Sequence, residues 1–223
     1  MVLATNPYVA VLGDDLIILD LRQDQYFYLA GFLAGREVTA PEQLADCASF
    51  RHHLRDRQVQ LAPTWAPVPP QLPAPLEEIC GADPGAEALA LGGRGARDVR
   101  CNLPWRAYAA ISLAKTLEFH GRPLRALIAS VERSRHTLRP PFVPFEASVT
   151  AFEAWSPYWP YQGQCLYRAF VRLKALHAHG HDARWVFGVR LWPFQAHCWL
   201  QAGERVIGDH AHRVGGFTPI LVV

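Results

Sequence analysis

The chain carries no marked excess of either charge, no paired-cysteine spacing and no long apolar run. Lys and Arg number 22 against 20 Asp and Glu, a net +2. That balance names no partner, and without a broad basic face interleaved with aromatics nucleic acid is set aside. No stretch reaches the roughly 18 apolar residues a membrane-spanning helix needs. No basic segment leads into an apolar stretch at the start, so no secretory signal is expected. The five cysteines are Cys47, Cys80, Cys101, Cys165 and Cys198. Their number is odd and no C-x-x-C occurs, so neither a disulfide framework nor a structural zinc site is expected. Free thiols and no signal together give a reducing cytoplasm as the expected location. No internal repeat is evident. What is present is apolar content: half of the 223 residues are hydrophobic, enough to bury a core and too much for a disordered chain.

Turn and breaker residues divide the chain into an expected small unit over 1–61, a linker over 62–100 and a larger domain over 101–223. In the first unit Tyr8 to Leu12 reads as a strand, Asp14-Asp15 as a turn and Leu16 to Leu21 as a second strand. Tyr26 to Leu29 pairs back. Pro41 to Arg57 reads as one helix with Thr39 as candidate cap, and Val59 to Leu61 as a last short strand. Residues 62–75 hold six prolines and read as stiff extended chain; residues 81–95 add five glycines. Helical patterns follow over 104–135, broken at Gly121-Arg122-Pro123. Residues 136–163 are rich in proline and aromatics and read as a packed loop, or as a substrate wall beside Cys165.

Cys165, His197 and Asp209 carry the chemistry. From Cys165 the apolar positions Leu166, Ala169, Phe170, Leu173 and Leu176 recur at helical spacing, with Arg168, Arg172 and Lys174 on the other side. Pro157, Pro160 and Gly163 precede the pattern and Gly180 stops it. Cys165 is therefore expected in the first helical turn, where unpaired amides and the helix dipole favour a thiolate and the same amides suit an oxyanion. Arg184 to Leu191 reads as a strand. Ala196 to Gln201 and Arg205 to Asp209 read as a hairpin around Ala202-Gly203-Glu204. A three-residue loop sets Trp199 opposite Ile207 and His197 opposite Asp209, with Cβ atoms roughly 5 Å apart. Trp199 and Ile207 are then expected to pack on the Cys165 helix and bring His197 to the thiol. A nucleophile, a base and an orienting carboxylate in this order suit a cysteine hydrolase of the papain type.

The same residues carry a resemblance. Cys165-Leu166 opening a helix, Gly188-Val189-Arg190 ending a strand, Pro193-Phe194 before Ala196-His197 and Trp199, and Val206-Ile207-Gly208-Asp209 resemble, in order, the B protein (leader peptidase) of lasso-peptide biosynthesis. That family has a papain/transglutaminase-like fold. The resemblance implies an α+β protease domain with a helix packed on an antiparallel sheet. It implies Cys165 as nucleophile, His197 as general base and acid, and Asp209 as orienter. The implied reaction removes the leader from a ribosomally made precursor, with no metal or other cofactor. An ATP-dependent cyclase of the asparagine-synthetase type then joins the freed amine to a side-chain carboxylate. Cys198 stands where the family often has Ala or Ser, and is read as packing on the face opposite His197. LIILDLRQDQYFYL, residues 16–29, resembles the start of a PqqD-like leader-recognition domain, a small winged-helix fold that adds the leader as an edge strand. That resemblance implies Tyr26 and Tyr28 as leader-binding residues.

Two other readings compete. A transglutaminase-like acyltransferase shares Cys165, His197 and Asp209 but passes the acyl group to an amine. A non-catalytic chaperone keeps the scaffold and presents the precursor. The histidines at 177, 179, 181, 210 and 212 invite a metal. Alternate spacing does not align three ligands on one helix face, however, so they read as exposed polar positions and helix-end charges.

Overall fold

The computed structural model describes residues 7–36, 41–61, 65, 72–79, 114–142, 144–155 and 164–223. The chain is α+β, as expected. Strands β1 (Tyr8–Leu12), β2 (Asp15–Asp20) and β3 (Gln25–Leu29) form an antiparallel meander in the order β1-β2-β3. The unbroken Leu16-Ile17-Ile18-Leu19 run follows from burial on both faces. Ile17 and Leu19 join one core; Leu16 and Ile18 face a second, made with Phe32, Leu33, Phe50, Leu54 and Trp65.

Two expectations for the first unit need correction. Its helix is split into a 3-10 turn (Pro41–Asp46) and α1 (Ala48–Asp56), because Cys47 adopts extended backbone between them. Val59 to Leu61 forms no strand. The chain leaves α1 through Gln58 at φ 57°, and the Val59 amide returns to the Leu54 carbonyl at 2.9 Å, closing the helix end and burying Val59. Thr39 lies outside the described residues.

A five-stranded sheet, ordered β4-β7-β6-β5-β8, carries the second half of the chain. Its strands are β4 (Glu77–Ile79), β5 (Arg184–Arg190), β6 (Gln195–Ala202), β7 (Arg205–Ile207) and β8 (Thr218–Val222). Only the β4–β7 pair is parallel among the described strands. Strand β4 and Trp65 come from the stretch read as linker. Trp65 is buried, stacks on Phe50 and donates Nε1–H to the Pro7 carbonyl at 2.8 Å.

Helices α2 (Leu124–His136), α3 (Phe145–Trp155) and α4 (Cys165–Ala178) cover one face of this sheet. Residues 136–163 were expected as loop, yet α3 occupies their middle. FEASVTAFEAW contains no proline, and Val149 and Phe152 are buried at helical spacing. Tyr167, Ala169, Phe170, Val171, Leu173 and Leu176 of α4 are all buried. Each large apolar side chain here contributes about 1.5–3 kcal/mol. Arg172 and Lys174, expected on a solvent side, are buried too. Lys174 Nζ donates to the Ser130 carbonyl at 3.3 Å and hydroxyl at 3.2 Å. Helix α4 is thus a central helix, with the Lys174 ammonium and the two terminal nitrogens of Arg172 given partners. The same core takes in Tyr8, Ala10, Ile17 and Leu19 of the N-terminal meander, so the first unit shares its packing with the second.

Candidate active site

The hairpin that sets the site has a two-residue turn, Gly203-Glu204, with Gly203 at φ 62°. The expected three-residue loop is corrected by this, because a two-residue turn with positive φ matches strand twist. The register moves by one: Leu200 pairs with Ile207, Gln201 with Val206 and Ala202 with Arg205. Trp199 therefore lies away from α4, packed with Val186, Val206 and Phe217, while Leu200 and Ile207 face the α4 core.

His197 nevertheless meets Asp209. Strand β7 ends at Ile207, and Gly208 at φ 64° turns the chain so that Asp209 Oδ2 reaches His197 Nε2 at 2.6 Å. The contact comes from this turn, not from cross-strand pairing. Beyond the last β6–β7 pair a cavity of about 410 Å³ opens, lined by Cys165, Arg172, His197, Trp199, Gly208 and Asp209 among others.

Cys165 begins α4, and the residue before it, Gln164, makes no side-chain cap, so the first amides are not taken by that side chain. The thiol is half-buried. It lines the cavity beside His197 and Cys198, whose polar groups and charge act on the sulfur. These groups, the Cys198 thiol first, hold its pKa at about 4 against the cost of burial. With Nε2 taken by Asp209, Nδ1 is the nitrogen His197 has left for the thiol. Burial works against charge on His197, but its bonds to Asp209 and Cys165 outweigh that and raise its pKa to about 9. Asp209 is half-buried, which works against its charge; His197 and the His210 amide, at 2.8 Å, overcome this and keep the carboxyl below its usual range. Both shifts favour a thiolate beside an imidazolium.

Cys198 points away from His197 into the core, as read from the sequence, and is 4% exposed. It also touches the Cys165 thiol, a contact that strand alternation alone does not reveal. Arg172 was missed as well. Its Nη1 donates to the Ile207 carbonyl at 3.4 Å where the β7 ladder stops, Nη2 pairs with Glu153, and the guanidinium lies over the Phe152 ring. A Cβ on Gly208 would lie 2.3 Å from Arg172 Cζ. Gly208→Ala thus meets both a clash and positive-φ strain. It should destabilise the fold by about 1–3 kcal/mol and displace Asp209, lowering activity and melting temperature together in a thermal-shift and turnover comparison. Gly188, opposite His197, plays a related part: a Cβ there would come 2.7 Å from the Trp199 ring, which stacks beside His197.

Residues 105–222, just over half of the chain, match the family described as the Transglutaminase-like superfamily. The chain belongs to the transglutaminase-like superfamily. Comparison with curated proteins and with solved structures returned no match. The superfamily match spans Cys165, His197 and Asp209, and the mixed helix-and-sheet architecture agrees with it. Superfamily members are often cysteine-based enzymes. Among the described residues no helix is long and apolar enough to cross a membrane.

The N-terminal meander lies outside the superfamily match. Its last strand, β3, is an edge of its sheet. Tyr26 packs edge-to-face on Phe194 at 5.9 Å, and burial, with the nearby Cys198 and Cys165, holds its phenol well above the usual range. Tyr28, on the same face, is 38% exposed and donates to Asp15 at 3.0 Å. The two tyrosines thus differ: one lies against the transglutaminase-like half, the other towards solvent. The helical histidines are not the exposed groups expected. His177 is buried between Ser134 and Asp182 at 2.6 and 3.0 Å, and His179 is buried against Phe142.

Proposed function

We propose that this transglutaminase-like protein is a cysteine endopeptidase that removes the leader from a lasso-peptide precursor, the B protein of its pathway. The observation that carries the reading is the Cys165 thiol at the start of α4, lining one cavity with an imidazole whose Nε2 sits 2.6 Å from the Asp209 carboxylate.

In the proposed reaction the Cys165 thiolate attacks the carbonyl carbon at the leader–core junction. The oxyanion faces the amides at the start of α4. The C–N bond breaks as the His197 imidazolium gives its proton to the leaving amine, which becomes the core N-terminus. The leader remains as a thioester on Cys165. Water, deprotonated by His197, attacks that thioester, the C–S bond breaks, and the leader carboxylate and Cys165 thiolate are restored. Asp209 holds the imidazole in the orientation that faces the thiol. No metal or other cofactor enters these steps.

The meander supplies recognition in this reading. It acts as a PqqD-like, winged-helix-type unit, and the leader adds as a strand along β3, past Tyr28 and Tyr26, towards the cavity. Tyr26 packing against Phe194 favours this path, since it links the sheet edge to the loop before His197. The exposed Trp192 beside Phe194 widens the apolar wall. The precursor and an asparagine-synthetase-type cyclase are the partners, in the cytoplasm.

The test is mass spectrometry of the precursor encoded beside this gene, incubated with the purified protein, with and without cyclase and ATP, and with a small primary amine. A single cut yielding leader acid and free core supports the proposal. Leader amide with the added amine supports the acyltransferase, and leader binding with no cut in any mixture supports the chaperone.

A further inference from the structure

Three donors meet on the surface beside the cavity, drawn from segments far apart in the chain. Glu78 lies in β4, and His210 and His212 flank the start of α5 (Ala211–Val214). Glu78 Oε2 is 3.0 Å from His210 Nδ1, and Oε1 is 3.9 Å from His212 Nδ1. The ligand atoms all lie within 4.8 Å of one another, and the two imidazoles stack with centroids 5.4 Å apart. Oε1 also accepts the Ala211 amide at 2.8 Å.

We propose that Glu78, His210 and His212 bind a divalent transition-metal ion, zinc by preference. Fastening the α5 start requires the carboxylate and one amide. A salt bridge requires one imidazole. Neither accounts for a second imidazole turned by its Nδ1 towards the same carboxylate. Zinc bonds of about 2.0–2.1 Å to nitrogen and oxygen set tetrahedral edges of roughly 3.3 Å, so small rotations of two exposed rings bring all three donors into range. Two imidazoles and one carboxylate suit zinc, nickel or copper. They do not suit calcium, which takes six to eight oxygens, or magnesium, which keeps most of its water. The exposure of the His212 side chain, 81%, leaves a fourth position to water. The sequence hides the site because Glu78 lies 132 residues before His210 and reaches it only through the parallel β4–β7 pair.

The ion would brace the segment that supports Asp209, since the His210 amide donates to Asp209 Oδ1 at 2.8 Å. It adds no step to the cysteine chemistry.

The test uses tag-free Cys165→Ala protein, which removes the active-site thiolate as a competing zinc ligand. Calorimetric titration with zinc and absorption spectra with cobalt(II) should show one ion bound, with calcium and magnesium inert. Adding His210→Ala and His212→Ala should weaken zinc binding by about 10-fold or more, roughly 1.4 kcal/mol, with circular dichroism unchanged. Glu78→Gln keeps an oxygen for the Ala211 amide and should still weaken zinc, which a purely structural Glu78 would not do. No zinc binding by the Cys165→Ala protein, or equal binding after loss of both histidines, overturns the proposal.

Discussion

Cys165→Ala is expected to abolish precursor cleavage, a fall of about 10⁴-fold or more, while the protein stays folded. No other described group lines the cavity with comparable nucleophilicity. Cys198 is the nearest thiol, but burial first, and the Cys165 charge after it, push its pKa well up, so it remains a protonated donor. The serine variant should be as inactive as the alanine one. Its hydroxyl keeps the hydrogen bonds but is not ionised beside this imidazole. Alkylation gives an independent reading. At pH 6 an ordinary thiol, with pKa about 8.5, is almost wholly protonated, whereas Cys165 at about 4 is thiolate. Iodoacetamide at that pH should modify Cys165 far faster than Cys198 in peptide mapping, and activity should fall in step. Unchanged cleavage by Cys165→Ala would sink the protease reading and leave precursor binding as the role.

The site was legible in the sequence where one local rule was enough. A breaker-rich segment followed by a helical repeat put Cys165 at a helix start, and Gly180 ended that helix, as found. Apolar runs between turn residues located β1, β2, β3, β5 and β6 within a residue or two. The His197–Asp209 neighbourhood was also expected, but by the wrong route. Sequence spacing does not distinguish a two-residue turn from a three-residue one, and the contact depends on Gly208 turning the chain past β7. Tertiary partners were the other hidden quantity. Arg172 looked like a solvent residue until Glu153 of α3 and the open end of β7 gave it bonds to make. His177 looked exposed until Ser134 and Asp182 closed around it. Strand β4 carries two glutamates in three residues and has no strand signal; it exists because β7 offers it a free edge.

His197→Ala should lower kcat/KM by about 10²–10⁴-fold, and the pH profile should report why. In the proposed reaction the active form carries a thiolate on Cys165 and a proton on His197, so activity should span a window from about pH 4 to about pH 9. The signs follow from the two directions. Cys165 has a depressed pKa, so its ionised form is lost as pH falls through about 4 while His197 stays protonated. His197 has a raised pKa, so the proton destined for the leaving amine is lost as pH rises through about 9. The two groups touch, so the limbs belong to the pair and not to either residue alone. Asp209→Asn separates the carboxylate's contribution. The amide can still accept from Nε2 but no longer offers a charge, so the upper limb should move to lower pH. A less protonated imidazole then supports the thiolate less, and the lower limb should move up, narrowing the window from both sides. Measuring kcat/KM against pH for wild type and Asp209→Asn checks this. An upper limb that stays in place would mean that Asp209 supports the His210 turn without tuning His197, and the carboxylate would leave the mechanism.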